Sequence, residues 1–152
     1  MPEIVWECVP FEELTNHQLY SILQLRNEVF IVEQNCAYQD LDNKDQKSFH
    51  LMGWAGKDLA AYARLLPKGV SYEYISIGRV ITSPKYRKSG AGKSLMKEAI
   101  HQCNILFGKH PIKIGAQLYL QKFYGALGFT QTSDMYLEDG IEHIEMLRDA
   151  EI

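Results

Sequence analysis

The alternation of apolar and polar positions divides the chain into short elements. Ile4-Val5-Trp6-Glu7-Cys8-Val9 reads as a first strand, ended by Pro10. Thr15 and Gln18 supply the hydroxyl and the amide of a capping box. Behind them Leu19, Ile22, Leu23, Arg26, Val29 and Phe30 recur at helical spacing, with Leu25 off the stripe. Residues 35–45 carry no periodicity and are expected to form a loop or short helix. Strands are expected at 50–55 and 59–66, hinged on Gly56-Lys57-Asp58. A longer one follows at 72–82, where Tyr74, Ser76, Gly78 and Val80 alternate with Ile75, Ile77, Arg79 and Ile81. The clearest helix carries Leu95, Met96, Ala99, Ile100, Cys103, Leu106 and Phe107 on one stripe and stops at Gly108, with Pro111 beyond. A strand at 111–116, a helix at 118–127 ended by Gly128, and strands at 129–136 and 141–147 around Glu138-Asp139-Gly140 complete the pattern. The order β-α-β-β-β-α-β-α-β-β predicts an α/β fold: a part-parallel, part-antiparallel sheet with helices on both faces.

Composition adds limits. A chain of 152 residues, 46% hydrophobic and 23% charged, fits a single domain spanning 1–152. The net charge of −3 excludes nucleic-acid binding by bulk charge. No apolar run approaches the roughly 20 residues that span a bilayer, and MPEIVWECVP lacks the basic and apolar regions of a leader. Cys8, Cys36 and Cys103 are unevenly spaced, so a disulfide framework is not expected and a reducing cytoplasm is the default. A homodimer through the outer sheet or first helix is compatible with the pattern, though no sequence feature demands one.

The segment Arg87-Lys88-Ser89-Gly90-Ala91-Gly92-Lys93 sits between the long strand and the clear helix. Its glycines permit a tight turn and close backbone approach to a ligand. The first N–H groups of the helix have no intrahelical acceptor, and the helix dipole and three cations add positive charge. Phosphate or pyrophosphate is the matching ligand. Gly92-Lys93-Ser94 ends like a nucleotide-binding P-loop, but that motif needs glycine where Arg87 stands, and the dinucleotide fingerprint fails at Lys93-Ser94-Leu95.

Residues 84–92, Pro-Lys-Tyr-Arg-Lys-Ser-Gly-Ala-Gly, resemble the acetyl-CoA loop of the GCN5-related N-acetyltransferases, R-x-x-G-x-G/A after a strand. Phe123-Tyr124-Gly125-Ala126-Leu127-Gly128-Phe129 resembles the F-Y-x-x-x-G-F element of the same family. The run from Leu25 to Gln34, together with Ile77-Gly78-Arg79-Val80 and Asp139-Gly140-Ile141-Glu142-His143-Ile144, is similar to its ElaA-like branch. The resemblance implies a sheet splayed between strands four and five and acetyl-CoA as co-substrate, with no metal. It implies that pantetheine lies along Val80, Ile81 and Thr82, and that pyrophosphate rests on the N–H groups of Lys88, Ser89, Gly90, Ala91, Gly92 and Lys93 beside Arg87. Gln117 stands where many members carry an asparagine that touches pantetheine. Tyr124 matches the position that protonates the leaving thiolate, and transfer is direct, in a ternary complex.

Acetylating an amine needs a base, because neutralising a lysine-like group of pKa ~10.4 at pH 7 costs roughly 4.6 kcal/mol. Glu33 and His143 are the candidates, with Glu142 and His50 behind them. A backbone N–H near Ile81 would polarise the carbonyl. Arg26 and Arg79 read equally as a structural ion pair or a substrate contact. Asp40-Leu41-Asp42-Asn43-Lys44-Asp45 lacks the glycine and glutamate of a calcium loop and is expected to be a solvated acidic loop. At an acceptor entrance it would attract a cationic amine. Cys103 lies on the buried stripe, which excludes it as a thiol nucleophile, and the direct transfer that the resemblance implies argues against Cys36 as well. The expected activity is acetyl transfer to the primary amine of a small molecule or a protein. A non-catalytic acyl-CoA-binding domain is the first rival and a nucleotide hydrolase the second.

Overall fold

The computed structural model describes residues 3–150. Its first helix begins as the capping residues dictate. Gln18 N–H donates to Thr15 Oγ1 (3.0 Å) and Thr15 N–H to Gln18 Oε1 (2.9 Å), launching α1 (Asn16–Arg26). The helix then widens into a π-helical segment, Asn27–Glu33. Leu25 lies inside, not off the stripe: with Ile22 and Val29 it packs on Met52, Tyr62 and Ile81. The buried stripe includes Arg26 as a paired charge, so a polar letter does not mark its solvent side.

Among the described residues eight strands form one sheet: β1 (Val5–Pro10), β2 (Phe49–Ala55), β3 (Asp58–Leu66), β4 (Ile75–Thr82), β5 (Ile112–Gln117), β6 (Phe129–Gln131), β7 (Tyr136–Glu138) and β8 (Ile141–Arg148). Their order is β1-β2-β3-β4-β5-β8-β6, with β7 further along β8. Every pairing is antiparallel except β4 with β5. The β2–β3 turn is tighter than expected: Asp58 already pairs with Ala55, and Gly56 takes the positive φ (+63°) that a two-residue turn needs. On one face α2 (Ala91–Phe107) sets Leu95, Met96, Ala99 and Cys103 against Leu51, Ala63, Ile77, Ile114 and Ile144. Each large apolar side chain so buried contributes about 1.5–3 kcal/mol. On the other face α1 covers β2, β3 and β4.

Three expectations change. Residues 118–127 form a 3₁₀ turn, Leu118–Leu120, and a short α3 (Gln121–Gly125) rather than one helix. The expected strand 129–136 splits because its outer edge is too long for β8. Between Gln131↔Met146 and Tyr136↔His143 it advances five positions against three, and the surplus buckles outward. Ser133 Oγ there accepts the Glu145 N–H (2.9 Å). The expected strand 72–82 starts only at Ile75, and its alternation breaks at a bulge. Tyr62 pairs with Ile81 but Arg64 with Gly78, so β4 carries one extra residue. Arg79, within it, has φ +49°, a conformation that costs a non-glycine residue roughly 1–3 kcal/mol.

That bulge lies within the gap in the sheet. β4 and β5 pair only at Ile75↔Ile112 and Ser76↔Lys113, and then diverge to their ends at Thr82 and Gln117.

Candidate active site

A cleft of about 750 Å³ occupies the splay between β4 and β5. Its volume suits a ligand of cofactor size. Val80, Ile81 and Thr82 line one wall, and Ile114, Gly115 and Gln117 the other. Among the described residues the β5-facing edge of β4 has no partner strand beyond Ser76, so its backbone is free to hydrogen-bond an extended ligand.

At one end stands the glycine loop. Lys88 (φ +67°) and Gly90 (φ +79°) both take positive φ, curling the backbone into the first turn of α2. The first helical bond joins Ser94 N–H to Gly90 O (3.1 Å), and the N–H groups of Ala91, Gly92 and Lys93 meet no backbone acceptor among the described residues. A Cβ on Gly92 would meet only Phe123 and Thr82, each at 4.0 Å, so the helix start faces open space. Such a cradle fits a pyrophosphate. Of this loop Arg87 and Gly92 line the cleft; Ser89 turns its hydroxyl to Tyr86 O, and Lys88, Ala91 and Lys93 lie outside the lining. Arg87 is not free: its guanidinium grips Glu33, the end of the π-helical segment. Arg87 thereby holds the Glu33 carboxyl below the usual range, which weakens Glu33 as a base.

Tyr124 enters from α3 with 7% of its surface exposed, wedged edge-on between Phe123 and Phe129. It lines the cleft and makes no side-chain hydrogen bond among the described residues. Burial, with a smaller contribution from Tyr119, raises its phenol to about 12. Opposite, His143 on β8 pairs in register with Gln117, so both project on one face at the open end of the splay. His143 Nδ1 lies 2.8 Å from Ile141 O, which must accept; Nδ1 therefore carries the hydrogen and Nε2 the lone pair. Glu138 Oε2 lies 3.6 Å from that Nε2, and Tyr136 stacks on the ring. Glu138 escaped the sequence reading, which assigned it to a turn, whereas it is the last residue of β7. The signal was its place two residues from Tyr136, which puts both on the side of His143.

The remaining candidates separate. Glu142 is exposed on β8 outside the cleft lining. His50 is buried in β2: its Nε2–H donates to Asp45 O (2.9 Å), and its Nδ1 accepts from the Tyr62 hydroxyl (2.6 Å). Cys103 lies in the core, where burial raises its thiol to about 12, while Cys36 rims the cleft with its thiol toward Asp139 O (3.4 Å). The acidic loop is not a solvated one. Asp40 pairs with Arg26 and Arg79, Asp42 with Arg64 and Arg79, and Asp45 with Arg26 and Arg64. Three carboxylates thus meet three guanidinium groups in one network, which compensates their charge within the fold. Arg26 and Arg79 are structural ion pairs, as one of their two readings held. Arg64 is the partner that the sequence reading missed. No group of His, Cys, Asp and Glu among the described residues gathers to hold a metal. No helix among them is long and apolar enough to cross a membrane.

Comparison with known proteins agrees with this geometry. Residues 13–149 match the family described as an acetyltransferase (GNAT) domain. The protein ElaA of Escherichia coli (strain K12) is 43% identical over 148 residues, covering 96% of this chain and 97% of that one. The crystal structure of Escherichia coli ElaA superposes with a TM-score of 0.90 at 42% identity, covering 96% of this chain and 99% of that chain. An acyl-CoA N-acyltransferase from Pseudomonas aeruginosa gives 0.91 at 41% identity with the same coverage. A Bacillus subtilis acetyltransferase in complex with CoA shares the fold at 22% identity, with a TM-score of 0.64 over 97% of this chain and 99% of that one. The chain therefore belongs to the GNAT family of acetyltransferases, as a homologue of ElaA.

Proposed function

We propose that the protein transfers acetyl from acetyl-CoA to a primary amine by direct attack in a ternary complex. The observation that carries this reading is the splay itself: an unpaired β4 edge with a phosphate cradle at one end and a buried, unbonded phenol beside it. The Bacillus subtilis relative with CoA supports the choice of donor.

The residues fit acyl-CoA in parts. The N–H groups of Ala91, Gly92 and Lys93 and the curl from Lys88 through Gly90 would take the pyrophosphate. The edge of Val80, Ile81 and Thr82 would take the pantetheine amides, with Gln117 facing it across the gap. A main-chain N–H at the bulge would meet the charge that develops on the thioester oxygen, a contribution of several kcal/mol when the donor is fixed beforehand.

Protons move through two side chains. His143 takes the amine proton on Nε2, and the Glu138 carboxylate 3.6 Å away stabilises the resulting imidazolium. Its fixed tautomer makes it the better base, since Glu33 is engaged by Arg87. Tyr124 stays protonated at neutral pH and can donate to the departing thiolate. Leaving a phenolate of pKa about 12 beside a thiol of ordinary pKa ~8.5 would cost about 5 kcal/mol. The phenol must therefore regain a proton in the same event, taking the one that the attacking nitrogen sheds as the tetrahedral intermediate collapses to amide and thiol, and so acts as a relay.

The test is CoA release from acetyl-CoA and longer acyl-CoAs against polyamines, amino sugars, aminoglycosides, free amino acids and lysine peptides. Amine-dependent release with an N-acetylated product by mass spectrometry is expected for at least one class. Tight CoA binding with no release across the panel would leave an acyl-CoA-binding domain instead.

A further inference from the structure

We infer that Asp40 is a positioning residue for the donor strand: it clamps Arg79 at the β4 bulge and so fixes Val80–Thr82 in the splayed course that receives the acyl group. The inference rests on the acyl-CoA reading of the cleft and adds a residue that touches neither substrate.

Arg79 occupies a left-handed conformation in the middle of a strand, which persists only where the surroundings hold it. Most of that hold comes from the loop before β2. Arg79 Nε donates to Asp40 Oδ1 (2.8 Å) and Nη2 to Asp40 O (2.9 Å), so side chain and backbone of one residue bind one guanidinium. Asp42 adds a longer contact (3.4 Å), and the Phe30 and Tyr38 rings each lie 5.9 Å from the guanidinium carbon. Asp40 is itself pinned by Arg26 Nε (2.9 Å) and the Tyr38 hydroxyl (3.2 Å). The bulge lies just beyond the last β4–β5 pair, so where Arg79 sits decides how Val80, Ile81 and Thr82 diverge from β5 while β4 stays paired with β3. Tyr38, Gln39 and Asp42 wall the same cleft, so the loop that would meet an acceptor also holds the donor strand.

Asp45 provides the control. It belongs to the same network but bonds Arg26 and Arg64, not Arg79. Asp40→Asn, Asp45→Asn and Arg79→Gly are compared for melting temperature, steady-state kinetics and amide hydrogen exchange of the 77–82 segment without ligand. Glycine at 79 keeps the positive φ and removes the anchor. We expect Asp40→Asn and Arg79→Gly each to lower kcat at least tenfold and to speed exchange in 77–82 at least tenfold. Asp45→Asn should lower the melting temperature yet stay within twofold of the native protein in both. Equal losses in Asp40→Asn and Asp45→Asn, or native exchange and kcat in Arg79→Gly, would overturn the inference. Should Asp40→Asn fail to fold, Arg79→Gly against Asp45→Asn decides alone. The exchange measurement needs no turnover, so a failure of the acetyltransferase reading would show in the native protein's assay and leave this outcome readable.

Discussion

Arg87 binds Glu33 with both terminal nitrogens of its guanidinium, Nη2 at 2.6 Å from Oε1, joining the glycine loop to the end of the α1 extension 54 residues away. Both residues line the cleft. A pyrophosphate on the loop would compete with Glu33 for Arg87. Glu33→Gln removes the competitor and one negative charge, so CoA should bind about three- to fivefold tighter by calorimetry at low salt. That is the size expected of an exposed ion pair. Arg87→Ala should weaken binding. An unchanged dissociation constant in Glu33→Gln would mean that the pair and the phosphate do not share Arg87.

Tyr124→Phe removes one oxygen from an otherwise apolar socket between Phe123 and Phe129. The fold and CoA affinity should hold within about twofold, while turnover under chemistry-limited conditions falls on the order of 10²-fold. Burial raises the phenol to about 12, so the native enzyme should show no alkaline loss from this group up to pH ~10. Turnover equal to native in single-turnover experiments would remove Tyr124 from the proton path.

Much of this site was legible in the sequence because its parts are local. The capping box, the α2 stripe and the glycine loop are each set by neighbours a few residues apart, and each appears where the pattern puts it. The departures come from distant contacts. Arg26 and Arg64 reach Asp45 across 19 residues and Arg79 reaches Asp40 across 39, so an acidic run that looks solvated becomes a buried network. The Arg79 bulge was hidden because the letters keep alternating through it, while the extra residue shows only against β3. The split into β6 and β7 likewise depends on the length of β8 beside them. The Glu33–Arg87 bridge had no local signal.

His143 gives a prediction whose size changes with pH. At neutral pH an alkyl amine acceptor arrives protonated and needs a base, so His143→Gln should lower kcat/KM for the amine about 10- to 100-fold. As pH rises toward the amine's own pKa of ~10.4, free amine becomes abundant and the base is no longer needed. The ratio of native to variant rates should therefore shrink toward one. Glu138→Gln should act in the same direction and more weakly, since Glu138 only stabilises the imidazolium. A ratio constant across pH would mark a structural contribution instead.

The buried network predicts acid stability in two separate windows. Burial pushes the Asp42 carboxyl up, but hydrogen bonds and charge from Arg64 outweigh it and bring the group from 3.8 to about 2. A carboxylate depressed by folding stabilises the protein above its unfolded pKa and loses that stability as pH falls through its folded one. Asp42 should thus contribute about 2 kcal/mol at neutral pH, lost between pH ~4 and ~2. Asp45 is lowered in the same sense by Arg26 and Arg64 against its own burial. His50 acts earlier. Burial lowers its pKa from 6.5, so below that pH the unfolded chain takes up a proton that the folded one resists, and stability again falls with acid. Urea midpoints measured from pH 7 to pH 2 should show both declines. Asp42→Asn should lower the plateau and flatten the decline between pH 4 and 2 while leaving the one that starts near 6.5. An Asp42→Asn curve parallel to native below pH 4 would show that acid unfolding draws on other carboxylates.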